Sequence, residues 1–237
     1  MAGAQGNAQS RSCGLFIRRQ TAYPLRVSVM FPPLDVLPRP AMTGEFVPPD
    51  YFRRMRAGEL PGAGDAPLEV DLGCGDGAFL LGMAREFPER RFLGIERLLG
   101  RARKVCRKIT RAGLPNARVL RLESRYAVEW LLPHGSVSRL HLLCPDPWPK
   151  FKHHRRRIIQ PDFLEAVHRV LAPDGEFLFM TDHDGYHEWA AEKIDAFPGF
   201  ERLPWADGDF FYPKTDFQQL WESQGKAMFL TRCRKSI

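Results

Sequence analysis

Two short segments hold the side chains most able to do chemistry. In the first, Asp71-Leu72-Gly73-Cys74-Gly75-Asp76-Gly77, three glycines stand among two acids. Glycine permits positive φ and lets the backbone approach a ligand closely. Gly73-x-Gly75-x-x-Ala78 also satisfies a dinucleotide-binding fingerprint, in which the turn receives a pyrophosphate at a helix N-terminus. Asp71 and Asp76 crowd that place. A carboxylate repels a pyrophosphate but attracts an ammonium or a sulfonium. Glu96, about one βαβ step later, can accept both hydroxyls of a ribose whichever nucleotide is bound. Glu123 and Ser124 are placed to meet an adenine, whose amine an acid can accept. Glu123 reads equally well as a solvated surface acid.

The second segment is Cys144-Pro145-Asp146-Pro147-Trp148-Pro149-Lys150. Prolines fix φ and so hold the side chains between them. Trp148 offers a plane on which a base can stack, and Asp146 an acceptor for a Watson–Crick edge. A rigid loop with a buried Trp fits the same residues. Lys150, Lys152, His153, His154, Arg155, Arg156 and Arg157 follow at once. Such a run is usually a solvated face, but beside this loop it can grip the phosphates that flank a target base.

These segments need elements to position them. Leu68–Leu72 reads as a buried strand, Ala78–Phe87 as a helix and Arg91–Ile95 as a second strand. Leu98–Ala112 is a helix with Leu98, Ala102, Val105 and Ile109 inward and six basic residues, Arg101 to Arg111, on its other face. Ala117–Leu122, Arg139–Cys144 and Glu176–Thr181 are further strands, and Ala227–Cys233 the last. Ala127–Leu132, Pro161–Leu171 and Tyr186–Phe197 are helices, and Ala172–Gly175 is a turn. Alternating strands and helices imply an α/β fold with a parallel sheet and helices on both faces, and ligands at the carboxyl ends of the strands. Every candidate residue above stands just after a predicted strand.

The chain has 237 residues and a formal net charge of +7, the direction expected of a nucleic-acid binder. It has no apolar run long enough to span a membrane. Five scattered cysteines argue against a disulfide framework and a thiolate zinc site, and seven histidines show no metal-binding spacing. No metal is expected, and reduced thiols suit the cytoplasm. Residues 1–45 read as a basic, Pro-rich, disordered arm, and 46–237 as one domain. A transit peptide, or translation from Met30 or Met42, are other readings of the arm. Monomer and homodimer are both open.

The run Pro145 to Lys150, then His153-His154-Arg155-Arg156-Arg157, Gln160-Pro161-Asp162-Phe163-Leu164 and Thr181-Asp182, resembles the bacterial tRNA (guanine-N7-)-methyltransferase family. The likeness spans roughly Leu68 to Arg234. It implies a Rossmann-like class I methyltransferase, with a mostly parallel seven-stranded sheet and an antiparallel C-terminal strand. It further implies methyl transfer from S-adenosylmethionine to N7 of a tRNA guanine, guanine-46 of the variable loop. By resemblance Asp71, Gly73, Gly75, Gly77, Glu96 and Glu123 hold the cofactor. Asp146 is the active-site acid and borders it too. Lys150, Asp182, Thr215 and Gln218 bind substrate, with Trp148, His154 and Arg155 beside them.

The chain departs from the family pattern in places. Gln218 stands where Thr-x-Phe-Glu ends in a carboxylate, in the form Thr215-Asp216-Phe217-Gln218. Glu123-Ser124 replaces an Asp followed by a small residue, and Cys74 and Asp76 replace apolar choices. Guanine N7 has a lone pair and no proton, so no base is needed and Asp146 acts on developing positive charge. Methyl transfer to another RNA base, an NAD(P)-dependent oxidoreductase and a non-catalytic RNA-binding subunit are the alternatives.

Overall fold

Buried apolar strands set the architecture. Leu68–Leu72 (β2) is buried along its whole length, and Arg91–Ile95 (β3) everywhere but its first residue. Strands covered on both faces read as near-continuous apolar runs, as these do. The computed structural model describes residues 42–62, 64–206 and 208–236. The expected N-terminal arm lies almost wholly outside them. Glu45–Phe46 (β1), Ala117–Leu120 (β4), Val137–Leu143 (β5), Leu171–Thr181 (β6), Phe200–Leu203 (β7) and Phe229–Lys235 (β8) complete one sheet. Its order is β1-β4-β3-β2-β5-β6-β8-β7. β8 alone runs against the direction of the other strands, antiparallel to both β6 and β7.

The sheet thus has eight strands among the described residues where seven were expected. The difference lies at its edges. β1 is two residues long, too short to show a period, yet it pairs in parallel with Val119 and Leu120. It begins at Glu45, one residue before the expected domain start. β6 begins earlier than predicted. Leu171 pairs with Val137 and Glu176 with Arg139, so the expected turn Ala172–Gly175 is an outward bulge within the strand.

Helices Ala78–Glu86 (α1) and Leu99–Ala112 (α2) cover one face, packing Phe79, Leu80, Val105 and Ile109. Helices Pro161–Val170 (α4) and Asp184–Asp195 (α5) cover the other, around Phe163, Val167, Phe177, Phe179 and Tyr186. The short helix expected at 127–132 is one α-turn, Ser124–Tyr126 (α3), continuing as a π-helical turn through Leu131. A last helix, Asp216–Ser223 (α6), follows a segment that crosses from β7. The order of strands reverses between β2 and β5, so the carboxyl ends of these two strands open onto one crevice.

Candidate active site

Asp71 is the last residue but one of β2 and is 4% exposed. Burial, reinforced by the nearby charge of Glu96, lifts its carboxyl to about 7. Among the described residues, no cation offsets this shift. After it the backbone turns through Gly73, Gly75 and Gly77, all at positive φ. The Gly73 and Cys74 amides donate to the Ile95 carbonyl, binding the turn to β3. A side chain at Gly73 would meet open space, so the glycine leaves a ledge free above the crevice. Gly77 differs. A Cβ there would stand 2.7 Å from Val105 and 2.9 Å from Leu81. The absent side chain lets α1 start against α2.

Glu96 is 5% exposed, and one of its carboxylate oxygens accepts from the Leu98 amide at 2.7 Å. Asp76, on the surface, pairs with Lys104 at 2.7 Å. Glu123, expected either to face a purine or to be a solvated surface acid, is exposed, and its two oxygens accept from the Arg125 and Tyr126 amides at 3.0 and 2.7 Å, capping α3. Four orphan amides begin every helix, and an exposed acid at this position satisfies two of them.

A cavity of about 200 Å³ lies between the glycine turn and α6. Asp71, Gly73, Gly75 and Phe79 line it from below, Leu143 from the side, and Thr215, Phe217 and Leu220 from above. Thr215 caps α6 by accepting from the Gln218 amide at 2.9 Å, and its hydroxyl also meets the Cys144 thiol. Phe217 lies against Arg101 of α2. Gln218 is buried and donates to Glu222 at 2.9 Å.

The Pro-rich loop leaves β5 under strain. Cys144 and Trp148 both hold positive φ, a conformation costly for residues with side chains and common at functional sites. Burial and the Asp182 charge push the Cys144 thiol up to about 12, so it is no nucleophile. Asp146 is exposed at the loop's tip, near enough to Tyr186 to act on its hydroxyl. It does not line the cavity under α6. Trp148 has one face taken by Arg156, 4.9 Å away, and the edge of His153 against it. Lys150 and Arg155 are exposed. His154, half-buried, packs on Phe151 and Trp189. Asp182 pairs with Lys226 at 3.1 Å, and Lys226 lies 3.5 Å over Trp221 of α6.

Arg157 ends the basic run, but it is 2% exposed. It donates to the Pro147 carbonyl at 3.0 Å and to the Gly185 carbonyl at 3.1 Å, over the rings of Tyr186 and Trp189. Sequence reasoning counted it with the phosphate-gripping cations, and composition gives no sign that it is different.

Residues 65–231 match the model of the family described as "Putative methyltransferase". The tRNA (guanine-N(7)-)-methyltransferase of Geobacter metallireducens is 32% identical over 72% of this chain and 82% of its own length. That of Leifsonia xyli is 37% identical over 69% and 74%. The chain belongs to the tRNA (guanine-N(7)-)-methyltransferase family. Its fold is also that of the 16S rRNA methyltransferase KamB, with a TM-score of 0.55 at 21% identity over 78% of this chain and all of that one. The aminoglycoside resistance methyltransferase NpmB1 is alike, with a TM-score of 0.54 at 21% identity over 72% of this chain and 87% of that one. In this chain the glycine turn and α6 meet at the crevice where the strand order reverses, and Cys144, just before the Pro-Asp-Pro-Trp loop, touches Thr215 of α6's cap.

Proposed function

We propose that the protein transfers a methyl group from S-adenosylmethionine to N7 of a guanine in tRNA, guanine-46 of the variable loop. The observation that carries the donor is Asp71. A buried carboxyl with no cation among the causes acting on it wants a positively charged ligand, and the open ledge at Gly73 leaves that ligand room. When bound, S-adenosylmethionine supplies an electrophilic methyl group on a cationic sulfur. Glu96, buried beside Asp71, keeps acceptor capacity for ribose hydroxyls beyond its bond from Leu98. The same carboxylates would repel the pyrophosphate of NAD, which disfavours the oxidoreductase reading.

The acceptor follows from the loop after β5 and from the relatives' names. Its chemistry asks for alignment, since guanine N7 has no proton to lose. The prolines and Arg157 hold the loop rigid. Asp146, exposed at its tip, accepts from the guanine N1–H and amino group. It thereby favours the cationic purine that forms as the bond is made. Lys150, Lys152, Arg155 and Arg156 meet the flanking phosphates.

Incubating the protein with unmodified tRNA and methyl-labelled donor, followed by nucleoside analysis, tests this directly. N7-methylguanosine at the variable-loop position is expected. Another methylated base in its place rejects the substrate, and no donor binding rejects the donor.

A further inference from the structure

One buried polar chain stands apart from the catalytic loop yet reaches the roof of the cavity. Glu69 on β2 and His141 on β5 are each 1% exposed and stand diagonally across neighbouring strands, Glu69 opposite Arg139 and His141 opposite Asp71. His141 Nε2 lies 2.9 Å from a Glu69 oxygen, and Nδ1 lies 2.7 Å from the Tyr212 hydroxyl. Arg90 pairs with the other Glu69 oxygen at 2.6 Å, and Arg139 stands 4.0 Å away. Against its burial, His141 first and then Arg139 and Arg90 hold Glu69 in its ionised form, and burial pushes the His141 imidazole toward its neutral form. The protonation pattern follows. Nε2–H donates to Glu69, which leaves Nδ1 as an acceptor, and the Tyr212 hydroxyl donates to it.

Tyr212 lies in the segment that leads into α6. Its ring packs 4.6 Å from Phe79, which lines the cavity floor. The next residue, Pro213, sits so close over α1 that a Cβ on Gly82 would stand 2.7 Å from it. Two residues further, Thr215 caps α6, and Thr215, Phe217 and Leu220 form the roof. A cavity of about 200 Å³ is below the roughly 300–1,000 Å³ usual for a small-molecule site. With α6 where it stands the cavity is narrow for a nucleoside, so the seating of α6 governs how such a ligand enters and leaves.

We propose that the Glu69–His141–Tyr212 chain is the latch that seats α6 over the methyl-donor pocket, with Tyr212 and His141 as positioning residues. This rests on reading that cavity as the donor site. The chain roots the segment in the two central strands, and the pivot falls between Pro213 and Thr215. Neither residue touches the reacting atoms. They set how long the roof stays closed.

The test is the rate and affinity of S-adenosylhomocysteine binding, by stopped flow and calorimetry, in Tyr212→Phe and Gly82→Ala. The first removes one hydroxyl, and the second presses Pro213 from beneath. Each is expected to raise the dissociation rate and Kd roughly tenfold, the size of one lost hydrogen bond. The donor KM should rise with them and kcat change far less. Should one variant fail to fold, the other decides. A lowered Tm with unchanged dissociation rates in the folded variants would reduce the chain to a structural role and overturn the latch. If the wild-type protein binds no S-adenosylhomocysteine, the donor reading falls by itself. The latch is then judged by amide exchange in 216–223, and rates equal to wild type in both variants overturn it.

Discussion

At the scale of single residues, Asp71 binds poorly to its own protein. An ordinary aspartate titrates near 3.9, whereas burial lifts Asp71 to about 7. The folded state therefore holds this proton more tightly than the unfolded chain. Its contribution to stability falls as pH rises from about 4 to about 7 and is flat above. At pH 8 the ionised carboxylate costs the empty protein roughly 2–4 kcal/mol. Asp71→Asn removes the charge, so its Tm at pH 8 should exceed that of wild type by several degrees, measured by calorimetry, with a smaller gain at pH 5. The same variant should lose donor binding. A cationic donor needs the ionised form, so wild-type affinity should fall up to tenfold per unit below about pH 7. An affinity flat from pH 5 to 8 would remove Asp71 from the donor site. Asp146 makes the opposite case. It is exposed, and Asp146→Ala should fold normally and lose roughly a hundredfold in kcat, a loss read from labelled-methyl transfer.

At the scale of elements, the Pro-Asp-Pro-Trp loop is held by something its own sequence does not reveal. Positive φ at Cys144 and Trp148 stores strain that the surroundings must over-determine. Arg157 does so by joining the Pro147 carbonyl to the first turn of α5. A lysine keeps the charge but not the planar fork. Arg157→Lys should therefore lower kcat at least tenfold while the salt dependence of tRNA binding stays as in wild type. Arg155→Ala, on the exposed part of the run, should do the reverse, which tRNA titrations at several salt concentrations would separate. The elements were legible where they are buried and long. β2, β3 and α2 have apolar periods that leave no second reading, and Asp71 and Glu96 were found because strand ends in such a sheet must open on the crevice. β1 and β7 were not legible, because two residues show no period and Phe-Glu-Arg-Leu at an exposed edge carries no apolar stripe. Arg157 and Tyr212 stayed hidden for a different reason. Their roles depend on partners 28 and 71 residues away, which only the folded chain brings near.

At the scale of the whole molecule, charge decides where a polyanion can lie. The chain's excess of seven positive charges is unevenly placed. One concentration is the run from Lys150 to Arg156, at the mouth of the proposed site. The other is the outer face of α2, where Arg103, Arg107 and Arg111 are exposed. Lys104 is bound to Asp76 at 2.7 Å and Lys108 to the Asp76 carbonyl at 2.6 Å, so they are partly spent. No acid is paired with Arg103, Arg107 or Arg111 among the described residues. An RNA backbone that reaches from the catalytic loop past the start of α2 would meet these cations in turn. Each phosphate neutralised adds about 0.7–0.9 to the slope of log affinity against log salt. Arg103→Glu with Arg107→Glu should thus flatten the slope for tRNA by roughly 1–2, weaken binding most at low salt, and leave kcat at saturating tRNA unchanged. A slope equal to wild type would make α2 a solvated face and confine the RNA contacts to the loop, since a cation that releases no counterion contributes nothing to that slope.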